Sequence, residues 1–473
     1  MQTECRNEKL DFQACGSRQV VAEFNGGTIT SDGGVLLLKE VEAKRKIIKQ
    51  FADCFTDHRD PDKIEHTVED LVGQRIYGLA LGYEDLNDHD WLRRDPLLAA
   101  AVGKIDPEGQ QRRRAADRGK GLAGKSTLNR LELRSDDPAK NGRYKKIALD
   151  DKKVDDFFID IFVQAHEEAP KLIIIDLDAT DDPLHGKQEG RFFQGYYREY
   201  CYLPLYFFCG DFLLCPRLRT ADKQPGSVAL EEIKRIVKRL REHWPEAPIW
   251  FRGDSGFSRD DIMTWCEDAE GVEYLFGQAR NKRLEKLLAA EMAAAKKEFE
   301  ATGQAARIFG DFGYQTLDSW SRERRVVGKA EHLEKGANPR FVVTSLSREE
   351  YPAQTLYENH YCARGEMENR IKEQQLELFA DRTSTHYLKS NQVRLWFSSV
   401  GYVLMNEMRR LGLVGTEMEQ AQCGTIRLRL LKIGAQVQVT VRRVVVRLAS
   451  SYPFQELFLE IYRRLRGMEP MRC

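Results

Sequence analysis

No two of the ten cysteines in this chain form a C-x-x-C pair; they are scattered from Cys5 to Cys473. That scatter excludes a paired redox motif or a zinc ribbon and reads as reduced thiols of a cytosolic protein. The longest apolar runs fall far short of a membrane span. The first nine residues lack a basic start followed by an apolar core, so no signal peptide is expected and the cytoplasm is the expected location. An excess of charge is missing too, since 74 basic residues balance 74 acidic ones. A nucleic-acid partner would therefore have to be held by local patches rather than by overall charge. Internal repeats and low-complexity tracts are absent.

What is present describes a globular protein: 42% of the 473 residues are apolar and 31% charged. At roughly 150 residues per domain this length implies about three domains. Residues 18–34 alternate apolar and polar around Gly26 and Gly27 and predict a small hairpin. Helices are predicted over 35–55, over 67–81 and through Trp91 to Val102. The polar linker 82–96 between them carries Tyr83, His89 and Trp91. A basic run, 110–120, leads into Gly119-Lys-Gly-Leu-Ala-Gly124-Lys125-Ser126, which fits the phosphate-loop pattern G-x-x-x-x-G-K-[ST]. That loop works only behind a hydrophobic strand, and here Arg112 to Arg118 precede it, so no nucleotide cofactor is expected. Ser126 to Glu132 reads as a capped helix start.

From Leu172 the pattern turns to strands. Leu172 to Ile175 is apolar and ends in Asp176 and Asp178, two carboxylates on the same side of a strand. Two further strands, 202–208 and 212–218, join at a tight turn as a meander. A helix over 228–244 leads to a strand from Pro248 that ends at Arg252-Gly-Asp254, so an aspartate closes this strand too. A helix over 260–267 and a strand over 273–280 complete the order strand, strand, strand, helix, strand, helix, strand. Residues 282–350 then form an α+β block, a helix over 283–302 followed by strand-like stretches, read as an insertion. Within it Trp320 could stack on a base, although tryptophans more often lie in the core. Beyond lie helices over 388–411 and 453–466, with a basic hairpin over 425–448 between them.

Between the insertion and those elements, Leu356 to Phe379 predicts a helix whose steps of three, four and seven align Tyr361, Arg364, Glu368 and Gln375 on one stripe, with Lys372 a turn beyond Glu368. Aromatic, guanidinium, carboxylate and amine on one face suit phosphate recognition beside a metal-binding carboxylate. A solvated helix laced with salt bridges would carry the same letters. Asp178 and Asp254 at strand ends, together with Glu368, form a set of carboxylates able to hold two Mg²⁺ ions, with Mn²⁺ able to substitute.

Gly82-Tyr-Glu-Asp-Leu-Asn-Asp-His-Asp, Asp176-Leu-Asp178-Ala-Thr-Asp-Asp-Pro, Arg252-Gly-Asp254-Ser-Gly-Phe and Tyr361-Cys-Ala-Arg-Gly-Glu-Met-Glu368 together resemble the DDE transposases of bacterial insertion sequences. Within the superfamily named for insertion sequence 4, the resemblance is closest to insertion sequence family 1380. The superfamily pattern Tyr-x2-Arg-x3-Glu-x6-Lys falls on Tyr361, Arg364 and Glu368, with Gln375 where lysine is usual and Lys372 one turn nearer. The resemblance implies an RNase H-like α/β core, a mixed five-stranded sheet with flanking helices. It implies catalytic and metal-binding roles for Asp178, Asp254 and Glu368, with Asp176 as a supporting residue. DNA contacts fall to Tyr361, Arg364, Lys372 and Gln375. The organisation it implies is a mainly helical DNA-binding region over 1–150, the core over 151–281 and 351–415, the insertion between them, and a C-terminal region over 416–473 for dimerisation or DNA contact. The implied activity is Mg²⁺-dependent cleavage at element ends and strand transfer into target DNA by a homodimer. An RNase H-like nuclease and a catalytically silent DNA-binding derivative are the alternatives.

Overall fold

The computed structural model describes residues 9–134, 144–222, 226 and 228–468. It divides into two compact units, one of Met1–Ala148 with Leu404–Cys473, the other Leu149–Val403.

In the first unit, helices Val35–Arg45, Ile47–Ala52, Val68–Ala80 and Pro96–Val102 pack with the C-terminal helix Gln455–Arg466. The single helix predicted over 35–55 is broken at Lys46, which is left-handed at φ 52°. Glu42 explains the break: its carboxylate turns past Lys46 to accept the N–H groups of Ile48 (2.8 Å) and Lys49 (3.1 Å), the exposed donors of the next helix. The hairpin lies upstream of its predicted place, pairing Leu10–Cys15 with Arg18–Ala22, because Gly16 at φ 62° supplies the turn. The hairpin expected over 425–448 is likewise shorter. Cys423 to Leu431 is helical, and only Ala435–Val439 and Val444–Leu448 pair, joined by Ile29–Thr30. Arg427, on that helical turn, donates to the carbonyls of Ala80 (2.8 Å) and Leu79 (3.3 Å), satisfying the C-terminal end of Val68–Ala80. The phosphate-loop letters fall on turns and a one-turn helix, Lys125–Leu128, and Lys125 Nζ sits 3.0 Å from Asn87 Oδ1 and 3.4 Å from Asp90 Oδ2.

The second unit is built on one large mixed sheet. Its elements are α1 (Asp151–Gln164), β1 (Ile173–Ala179), β2 (Leu205–Cys209), β3 (Phe212–Arg217), α2 (Ala229–His243), β4 (Ile249–Gly253), α3 (Asp260–Asp268), β5 (Val272–Gln278), α4 (Lys282–Leu287), α5 (Ala289–Thr302), β6 (Ala306–Tyr314), β7 (Arg324–Leu333) and β8 (Arg340–Thr344). The strand order is β3-β2-β1-β4-β5-β8-β7-β6, with the two-residue strand Gly336–Ala337 on β7. β4 runs parallel to β1 and to β5, and the remaining pairs are antiparallel. Strands of the 282–350 block therefore continue the same sheet past β5. α1 was not foreseen from the sequence. Asp150 caps it by accepting from the N–H groups of Lys152 and Lys153, and Val154, Phe157, Phe158 and Ile161 bury one face.

Alternation along the strands sorts the core. Ile173, Ile175 and Leu177 of β1 join Phe207, Phe251, Tyr274 and Phe276 in the main cluster, which α2 closes with Ile233, Ile236 and Leu240. Full burial of each such aliphatic side chain contributes about 1.5–3 kcal/mol. The opposite face carries Trp250, Leu275, Val342, Leu356 and Tyr357, so the helical segment after β8 lies on the side toward which Asp176 and Asp178 point. Trp320 is buried, edge-on to Tyr314 at 5.6 Å with the Arg324 guanidinium over its ring, and is packed rather than presented.

Candidate active site

Two parallel strands bring the aspartates together. Asp176 is register partner of Arg252 and Leu177 of Gly253, so one step further Asp178 and Asp254 close neighbouring strand ends. Asp176 is buried and grips Arg252 through two bonds, Nε to Oδ1 at 2.5 Å and Nη2 to Oδ2 at 2.7 Å. Burial raises the Asp176 carboxyl above its ordinary range, and the Arg252 bonds oppose that rise. Arg252 also donates to the carbonyl of His360. One guanidinium thus ties β1, β4 and the segment that leads to Glu368. The sequence reading quoted Arg252 without giving it a role. The available signal was its place two residues before Asp254, on the same strand face as that aspartate.

Asp178 lies two residues beyond Asp176, with Oδ1 accepting the Ala179 N–H at 2.9 Å. Its carboxyl is raised to about 6. Burial is the main cause, Arg364 opposes it, and the charges of Asp254 and Glu368 push it further up. Asp254 follows the strand in a turn, accepting the Gly256 N–H at 2.8 Å.

The segment predicted as a uniform helix changes pitch along its length. A π-turn over Leu356–Tyr361 and a 3-10 turn over Cys362–Arg364 precede α6 (Gly365–Lys372), and a second π-turn covers Glu373–Glu377. Such turns redirect side chains locally and recur at functional sites. Tyr361 reaches across the end of β5. A Cβ built on Gly277 would lie 2.6 Å from its hydroxyl and 3.0 Å from the Ser255 amide, so this position needs glycine. Arg364 places Nη1 3.7 Å from Asp178 Oδ2 and Nη2 3.4 Å from Glu368 Oε1. Gln375 donates to the carbonyl of Asp181 at 2.9 Å, in the loop after β1. Glu368 and Lys372 are exposed on α6. The structure therefore brings Asp178, Asp254, Glu368, Tyr361 and Arg364 to one end of the sheet, sets Gln375 against the loop after β1, and leaves Lys372 on the helix surface.

Three carboxylates, with the Arg364 guanidinium between Asp178 and Glu368, offer oxygen atoms that could hold a cation. Their donors are hard oxygens, which suit Mg²⁺. The same place offers Arg364 Nη1, buried and without a hydrogen-bond acceptor, as a donor for an anionic oxygen.

A family model described as "Transposase DDE domain group 1" matches residues 12–470. No curated protein matches the chain. Among solved structures, the chain is similar to a piggyBac transposase synaptic complex with hairpin DNA, at 12% identity and a TM-score of 0.40, over 94% of this chain and 83% of that one. Among the described residues no helix is long and apolar enough to cross a membrane.

Proposed function

The chain belongs to the transposases defined by a DDE domain of group 1, and from that premise we propose that it cuts an insertion sequence of family 1380 from DNA and joins it to a new site. The observation that supports this reading is the placing of Asp178 and Asp254 at neighbouring parallel strand ends, with Arg364 3.7 Å from Asp178 and 3.4 Å from Glu368. We read β3-β2-β1-β4-β5 as an RNase H-like core, residues 282–350 as its insertion, and the N-terminal helices as the region that binds the element's ends.

Asp178, Asp254 and Glu368 are the residues that would hold Mg²⁺. When bound, the ions polarise phosphoryl oxygens and make a nucleophile available at neutral pH. The chain's own groups bind and orient. Asp176 and Arg252 hold the two strand ends in register, so that the aspartates stay together. Arg364 directs its unpaired N–H toward the scissile phosphate, Tyr361 borders the same end of the sheet, and Lys372 takes the neighbouring backbone phosphate from the exposed side of α6. Gln375 fixes the loop after β1. The reaction is hydrolysis of the phosphodiester at each end, then attack of the freed 3′-hydroxyl on a target phosphodiester, whose own 3′-oxygen leaves. Two copies, one per end, form the synaptic complex.

The test is incubation of purified protein with Mg²⁺ and a plasmid carrying the element's ends. Excised element and joined products support the reading. Nicking without joining favours a nuclease, and retarded but uncut DNA favours a silent binding protein.

A further inference from the structure

Between β1 and β2 the chain forms a small ribbon that the chemistry above does not use. Glu199–Tyr202 is its central strand, antiparallel to Asp182–Pro183 and to Phe192–Gln194. The base is anchored: Cys201, Tyr202 and Leu203 are buried, and the Tyr202 hydroxyl donates to the Glu189 carbonyl at 2.6 Å. The outer end is not. Phe193 is 57% exposed, Tyr196 85% and Tyr200 44%. Phe193 and Tyr200 face each other across the ribbon with rings 5.5 Å apart, and the Arg191 guanidinium lies 3.9 Å over the Tyr200 ring. Large aromatics grouped in water at the tip of a held ribbon carry a free-energy cost that covering them would relieve, so they mark a binding surface.

Position narrows the occupant. Tyr197, in the turn of the ribbon, and Ala179, the residue after Asp178, both pack against a small buried cluster of Cys201, Leu203 and Ala221. Burial, then the charges of Asp181 and Asp178, push its hydroxyl up to about 12, which places it within electrostatic reach of the aspartates. The tip therefore stands beside the strand end where a phosphodiester would be cut. Its chemistry is π-faces with a stacked guanidinium. That combination serves single-stranded nucleic acid, in which every base offers a face and the cation follows the backbone. A duplex hides those faces.

We propose that the Phe193–Tyr200 face of this ribbon is a stacking platform for unpaired nucleotides next to the cleavage site. The proposal rests on the transposase reading above. Bases that leave the duplex at a cut element end would be held by the platform beside Asp178.

The test compares full-length wild type with the Phe193→Ala/Tyr200→Ala double variant, using a fluorescein-labelled single-stranded dT20 and a 20-base-pair duplex as probes in anisotropy titrations. Expected is a loss of dT20 affinity of about tenfold or more, with duplex affinity unchanged. A second variant, Phe193→Trp, should keep wild-type dT20 affinity and show tryptophan quenching with dT20 but not with duplex. Unchanged dT20 affinity in the double variant overturns the platform. Equal loss on both probes also overturns it, making the ribbon a general DNA contact or a structural prop. Unchanged affinities with weakened self-association overturn it in favour of a protein interface. Failure of wild type to bind either probe removes the transposase reading along with the platform.

Discussion

Arg364 and Asp178 face each other at 3.7 Å, close enough for charge attraction yet too far for a hydrogen bond, so the guanidinium neutralises the aspartate while Nη1 keeps its donor. An arginine four residues before Glu368 is in the less favourable order for a helix pair, which argues that its position serves something other than helix stability. Arg364→Ala should weaken binding to element ends and lower the log-log salt slope by roughly 0.9, the value for one phosphate contact on duplex DNA. Affinities measured across a salt series decide this. An unchanged slope with a lowered melting temperature would make Arg364 an internal ion-pair partner.

Asp254 closes β4 beside Asp178, and its Asn variant keeps the turn because the amide oxygen can still accept from Gly256. Asp254→Asn should therefore abolish strand cleavage while leaving end binding near wild type. Gel shift and plasmid cleavage on the same preparation separate the two. Cleavage at the wild-type rate would remove Asp254 from the catalytic set.

The pair of Asp176 and Arg252 sits in the core with both partners buried. Removing one partner strands a buried charge, which costs about 3–5 kcal/mol, whereas replacing both with apolar groups of similar size costs far less. Arg252→Met should lower the denaturation midpoint strongly, and Asp176→Leu in the same chain should restore much of it. Cleavage should stay lost in the double variant, since β1 and β4 are then no longer tied to the His360 carbonyl. A double variant that recovers full cleavage would show that this tie is dispensable.

The strand sequence from β1 to β5 was legible because each strand is a short apolar run closed by a turn or an aspartate, and helices α2 and α3 are bounded by clear breaks. The large mixed sheet follows from that order. Other features hang on partners distant in sequence. Arg252 looks like any strand-end arginine until Asp176 is placed beside it. α1 is amphipathic, but its Phe157-Phe158 and Ile161-Phe162 pairs carry strand-like composition, and only packing against β3 decides for helix. The changes of pitch around Arg364 leave no mark in hydrophobic spacing. The ribbon over 182–202 is masked in the sequence by Gly186, Gly190 and Gly195, which read as loop.

His89 gives a pH test of the first unit. It is fully buried, and Gln74 fixes its proton: the Gln74 amide donates to the Ala123 carbonyl (2.8 Å) and lies 3.1 Å from His89 Nδ1, which must then accept. Burial, helped by Arg75, lowers the imidazole to about 3. A histidine depressed in the folded state binds its proton more readily when unfolded. Its contribution to stability is therefore complete above about pH 6.5 and falls by about 1.4 kcal/mol per pH unit as pH drops toward 3. Glu42 works in the opposite sense. Burial lifts it to about 7, so its contribution is present below its ordinary range and is lost as pH rises through 7. Wild type alone would mix the two, so the comparison is with His89→Asn, whose amide oxygen can take the place of Nδ1 and does not titrate. Thermal unfolding between pH 7 and pH 5 should lose stability more steeply in wild type than in the variant, whatever the offset between them. Parallel curves would mean that His89 is protonated at its ordinary pKa in the folded chain, and that the Gln74 bond does not hold it neutral.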